Sequence, residues 1–236
     1  MVELGRVDIC LEASLLSSHL ALPCEGHVEQ VIHTFAHLRK YHSEIAFDPS
    51  DPMTDEAEFK SQDWITSEFG HLGYEDMPSN IPEPRGLGFT SRAYVNADHA
   101  GDTITRRSRT GFMVYLNNAP VYWLSKKKNS VETSSFGSEF IAMQHCCEYL
   151  RGLRYKLHMM GIPCNGPSYI FGDNQSVLAN TTCPDSTLKK TLQSITYHFV
   201  REGSARNEWI TTYVNTHDNP SDLLTKVGRN AEDLYV

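Results

Sequence analysis

The sequence has no apolar run near the ~20 residues that a membrane-spanning helix needs. Its opening, "MVELGRVDICLE", carries charges where a signal peptide would be apolar. A soluble, intracellular, cytoplasmic protein is therefore the expectation. CxxC spacing is also missing. The six cysteines, Cys10, Cys24, Cys146, Cys147, Cys164 and Cys183, include one adjacent pair and point to neither a zinc site nor a disulfide framework. Positive charge is scarce, with 21 Lys and Arg against 29 acids and a formal net charge of -8. That balance excludes a generally sticky nucleic-acid binder, because phosphate binding is driven by Lys and Arg displacing counterions. Only local patches could bind: "TRRSR" at 105–109, "SKKK" at 125–128 and "LKK" at 188–190. Taken singly, each reads as a solvated turn. Internal repeats and low-complexity segments are absent.

What is present suits one medium domain plus an accessory piece: 236 residues, 40% of them hydrophobic, can bury a sizeable core. Residues 1–47 read as helical. "LEASLLSSHLAL" and "GHVEQVIHTFAHLRKYH" space their apolar residues helically, the second through Val28, Val31, Ile32, Phe35 and Leu38. Two amphipathic helices of this kind need a partner surface. From 48 to 88 the composition shifts to Pro, Asp, Glu and Gly, as in a linker, with one aromatic patch from Trp64 to Phe69.

Then the period changes. Arg92 to Ala97 reads as a strand, and "TGFMVYLNNAPVYWLSKK" as two strands turning at Asn117 and Asn118. Ser134 to Met160 forms a long helix, and "PSYIFGD" a fourth strand running into a helix from Asn174 to Ala179. A helix near Leu188 to Arg201, a strand at 208–214 and a final helix from about Pro220 complete the order. The expected fold is α/β, a mixed sheet flanked by helices.

Acids stand at three places where each interrupts an apolar frame: Glu139 in the long helix, Asp173 at the end of the fourth strand and Asp222 near the last helix. Asp173 lies at the strand-to-helix junction where open α/β sheets place ligands. Alone, Asp173 and Asp222 read as helix-start residues and Glu139 as an exposed helical acid. Gathered by one sheet, the three would make a carboxylate cage for hard divalent cations.

Seven segments in series carry a resemblance: "YVNADHAGD", "TRRSRTGFMVYL", "VYWLSKKK", "TSSFGSEFIAM", "GDNQSVLAN", "YHFVRE" and "NPSDLLTK". Together they resemble the ribonuclease H domain of copia-type LTR retrotransposon polyproteins, from about residue 89 to 226. The text from Val2 to His42 resembles the end of that family's reverse transcriptase region. The resemblance implies a ribonuclease H-like five-stranded mixed sheet over 89–227, a helical reverse-transcriptase remnant over 1–47, a linker over 48–88 and a tail over 228–236. It implies cleavage of the RNA strand of an RNA/DNA hybrid with two Mg²⁺ ions, or Mn²⁺. Its implied partners are the hybrid and the remainder of a reverse transcriptase polyprotein, with no membrane, and a virus-like particle as one setting. No YxDD-like segment lies upstream of residue 88, so polymerase activity is not expected.

Glu139, Asp173 and Asp222 match three of the family's four carboxylate positions. The fourth, on the first strand, falls on Asn96, and there the sequence departs from the pattern. An amide gives one oxygen, turns N–H donors where a second oxygen should be and removes a negative charge. Asp98 is the candidate substitute, since residues 96 and 98 share a strand face, but they lie ~6.6 Å apart. Metals ~4 Å apart tolerate no such shift without rebuilding, so hydrolysis should be weakened. The resemblance also places Gln175 and Ser135 where 2′-hydroxyls of the hybrid are read, with a helix-surface amide and an N-cap as the plain alternatives. His217, in the loop before Asp222, could move protons or be an exposed loop residue. Lys126, Lys127 and Lys128 could meet phosphates. Two other readings share these residues: a non-catalytic nucleic-acid-binding remnant, and a structural or interaction domain.

Overall fold

In the computed structural model, residues 5–42, 45, 47–50, 62–186 and 194–226 are described. The core is one five-stranded sheet. Its strands are β1 (Ser91–Asp98), β2 (Arg109–Leu116), β3 (Ala119–Lys127), β4 (Ser168–Gly172) and β5 (Trp209–Tyr213), in the order β3-β2-β1-β4-β5. β1 pairs antiparallel with β2 and parallel with β4, while β3 and β5 close the two edges. This is the mixed sheet expected from the sequence.

The strands form where the residues demand it. β2, "RTGFMVYL", is buried on both faces along most of its length and so shows a continuous apolar run where a half-exposed strand would alternate. The hairpin to β3 turns on Asn117 and Asn118, with Asn117 at φ 53, a left-handed conformation that asparagine tolerates. Pro120 sits on β3, an edge strand, beside an irregularity in the pairing.

Two helices precede the sheet, α1 (Cys10–Ser17) and α2 (Glu25–Lys40). The others are α3 (Ser135–Met159), α4 (Gln175–Thr182) and α5 (Ser194–Ala205). α3 covers one face of the sheet. There Val95, Phe112, Phe140, Met143, Leu150, Ile170 and Trp209 are packed in the main core. On the opposite face Val7 and Cys10 meet Met113 and Leu224, with Trp123 half-buried against them.

Several expectations change. α1 ends at Ser17, leaving Leu20 and Leu22 exposed beyond it. α2 has the helical period, yet Val28, Ile32 and Phe35 along its stripe face solvent. Its His37 is tied to Asp8 by a 2.9 Å contact. The last helix is only a 3₁₀ turn, Pro220–Leu224, capped by Asn219. Residues 187–193, with Lys189 and Lys190, and the 228–236 tail lie outside the described residues.

Residues 62–88 hold no helix or strand, as their composition implied, but they are strapped to the body. Glu75 receives three bonds from the forked guanidinium of the buried Arg154 of α3, at 2.6–3.1 Å. Arg201, buried on α5, stands beneath the rings of Trp64 and Phe69, 5.0 and 5.8 Å away. Among the described residues, no helix is long and apolar enough to cross a membrane.

Candidate active site

The sheet changes direction at β1, where an antiparallel neighbour on one side gives way to a parallel one on the other. The carboxyl ends of β1 and β4 meet there, with Val95 in register with Gly172, so Asn96 and Asp173 follow side by side. This is the place where open sheets bind ligands. Glu139 enters from above, in the second turn of α3, whose start is fixed by Ser134 accepting the Gly137 N–H. Ser134, then, is the N-cap, and Ser135 is the exposed first residue of the helix.

Asp222 arrives on the Pro220–Leu224 turn. Asn219 pins that turn to β1, its buried amide donating to the Val95 carbonyl at 3.1 Å while its oxygen accepts from Ser221. Close seating is possible because β2 has Gly111 directly below. A β-carbon there would stand 2.6 Å from the Thr225 methyl and 2.8 Å from the Leu224 β-carbon. Of the three expected acids, Asp222 is hydrogen-bonded to Asn96, Asp173 follows β4 beside it, and Glu139 stands within reach of the Asp173 charge.

Their surroundings differ. Burial, then the neighbouring Asp173 carboxylate, pushes Glu139 up to about 8, against the pull of Lys128 and Lys226. Asp173 is half-buried and accepts from the Thr216 hydroxyl at 2.8 Å. Asp222 is fully buried. Its two oxygens each stand 3.0 Å from the ammonium of Lys226, and one also accepts from the Asn96 amide.

The orientation of Asn96 is set by its partners. Its Nδ2 donates to Asp222 and, at 2.8 Å, to the Thr225 hydroxyl, while its Oδ1 turns back to the Ala97 N–H at 2.8 Å. Exchanging the two ends would aim an oxygen at a carboxylate. Asp98 lies across from Arg109 on the face that Asn96 shares; it is half-buried and raised by burial. The backbone at Gly101 folds tightly against its carboxylate.

The remaining expected contacts spread out. Gln175 is exposed at the first position of α4, whose cap is Asn174. His217 is exposed in a short 3₁₀ turn next to Thr216. Lys126 is exposed on the edge strand, and Lys127 is paired with Asp102. Lys128 departs from expectation: it is buried, donating to the Ser138 carbonyl at 2.5 Å, so it braces the start of α3 and does not face a phosphate.

As they stand, these residues do not fit a pair of divalent cations. The groups directed at Asp222 from Asn96 and Lys226 are N–H donors, where a metal needs lone pairs. Among the described residues, no three His, Cys, Asp or Glu side chains stand close enough to hold a metal. Sequence reasoning missed Lys226, Asn219 and Gly111. The four-residue spacing from Asp222 to Lys226 was the available signal for the first.

Known proteins agree with the motifs. No family model matches the chain. It is 33% identical over 144 residues to the retrovirus-related Pol polyprotein from transposon RE2 of Arabidopsis thaliana, a match covering 60% of the chain. The chain is similar to copia-type Pol polyproteins. It spans only about 10% of the length of that relative, and the same share of the RE1 polyprotein of Arabidopsis thaliana, 31% identical over 60% of this chain. The Pol polyprotein from transposon TNT 1-94 of Nicotiana tabacum is 27% identical over 58% of the chain, which spans 10% of it. Among solved structures, RNase H1 from Halobacterium salinarum NRC-1 is matched with a TM-score of 0.45 and 15% identity, over 58% of this chain and 94% of that one. LC11-RNase H1, solved in complex with RNA/DNA hybrid, gives 0.46 and 11% over the same shares. The architecture described above stands on its own sheet order.

Proposed function

We propose that the chain is a ribonuclease H-type module of a retrotransposon polyprotein, engaging RNA/DNA hybrid and hydrolysing its RNA strand slowly. The observation that supports this reading is Asp173 beside Asn96 at the carboxyl ends of β1 and β4, with Asn96 donating to Asp222 and Glu139 within reach of the Asp173 charge. Similarity to Pol polyproteins over 60% of the chain supports the same reading. Divalent ions, Mg²⁺ or Mn²⁺, would be held by Glu139, Asp173 and Asp222 only once the N–H donors of Asn96 and Lys226 gave way, and would supply Lewis-acid activation of water. The other roles fall to groups of the chain itself. Gln175 and Ser135, exposed at the first positions of α4 and α3, offer polar groups to a 2′-hydroxyl. Lys126 offers a phosphate contact on the edge strand, and His217 a proton carrier at the rim.

A second reading, a hybrid-binding module that does not cleave, is favoured by the amide and ammonium that already engage Asp222. Cleavage and binding of a labelled hybrid, measured for the chain and for Asn96→Asp, decide between them. The first reading expects slow cleavage by the parent and a gain of ~100-fold in the variant, the scale on which misplacement at a reacting centre is felt. Tight binding with no cleavage by either protein would select the second. Absence of both binding and cleavage in both proteins would end the proposal.

A further inference from the structure

We infer that Lys226 is a tethered cation standing where a divalent ion would otherwise sit on Asp222, and that any such ion binds only by displacing it. The inference rests on the reading of this site as a ribonuclease H-type centre. The Lys226 Nζ straddles the Asp222 carboxylate, 3.0 Å from each oxygen, and the carboxylate itself is fully buried. A charge removed from water in this way needs a partner, and four residues along the chain supplies one.

The position is shared with the other acids. Lys226 is an attractive charge for both Glu139 and Asp98. A divalent ion bound to Asp222 at about 2.1 Å would lie against this ammonium, with both charges in a site of reduced polarity. The two cannot occupy the carboxylate together. The lysine can leave, because its side chain is 40% exposed while that of Asp222 is 0% exposed, so the stem has a route to solvent. Asn96 reinforces the arrangement by donating to one Asp222 oxygen and turning its own oxygen away. The amide of Asn96 and the ammonium of Lys226 thus engage one and the same carboxylate.

Binding of Mn²⁺ alone, followed by calorimetry on the full chain without nucleic acid, reads this directly. Lys226→Met should bind Mn²⁺ at least tenfold more tightly than the parent, while Lys226→Arg, which keeps a cation, should stay close to it. The double variant Asn96→Asp with Lys226→Met should bind more tightly than either single variant. Circular dichroism without and with Mn²⁺ covers the case in which Lys226→Met is poorly folded. Folding restored by Mn²⁺ supports displacement, and failure to fold at any Mn²⁺ concentration overturns it. Equal affinity of the parent, Lys226→Met and Lys226→Arg would also overturn it. Because no hybrid is present, this result is independent of the cleavage assay: a module that never binds hybrid can still show the exchange of cations.

Discussion

Lys128 counts in the sequence as surface charge, yet the fold turns it inward. Burial lowers its ammonium from 10.5 to about 8, with Glu132 and Glu139 pulling the other way. Below about 8 the folded chain carries a charged group that it would rather hold neutral. Between about 8 and 10.5 the folded chain sheds that proton while the unfolded chain keeps it, so stability rises with pH across this window. Lys128→Met lacks the effect. Urea midpoints at about pH 7.5 and about pH 10 should therefore move in favour of the parent relative to the variant, and a constant difference would refute the assignment. Asn96 gives the complementary lesson. Its identity, and the mismatch it creates, were legible in the motif; the direction of its amide was not, because that depends on Asp222 and Thr225, more than a hundred residues away in sequence.

The Pro220–Leu224 turn shows what position along the chain can and cannot say. Pro220 marked a helix start, and the structure has a 3₁₀ turn there, capped by Asn219. Its length was not readable. Thr225 leaves the helical region at φ -126 and ψ -31, and the turn ends pressed onto β2 through Gly111. Gly111→Ala should push Thr225 and Leu224 off the sheet and lower stability by about 1–3 kcal/mol, as overpacking of tight contacts does. A urea midpoint unchanged from the parent would show that the turn is not seated there. α2 teaches the converse. The helical period of Val28, Ile32 and Phe35 predicted a helix correctly, but periodicity cannot reveal whether a stripe finds a partner, and here it faces water.

Across the whole molecule, the strap of residues 62–88 joins the elements that flank the sheet. Glu75 and Arg154 form its inner clasp, with the Arg154 guanidinium buried and also donating to the Gly166 carbonyl at 3.0 Å. Glu75→Gln should cost ~3 kcal/mol by leaving a buried charge without its counter-ion, whereas Glu75→Gln with Arg154→Met should cost less than the sum of the two single changes. A double-mutant cycle from urea unfolding measures this, and strict additivity would contradict the clasp. Composition alone made this segment a linker, because an ion pair spanning 79 residues leaves no local trace. The sequence by itself determined the mixed α/β order, the strands, and the identities of Glu139, Asp173, Asp222 and Asn96, since alternation, period and motif are properties of neighbouring residues. The tertiary structure alone decided that Asn96 donates to Asp222, that Lys128 is buried and that the α2 stripe is left open. Those outcomes depend on which distant groups share a small volume and how much water remains between them, and no pattern along the chain encodes that.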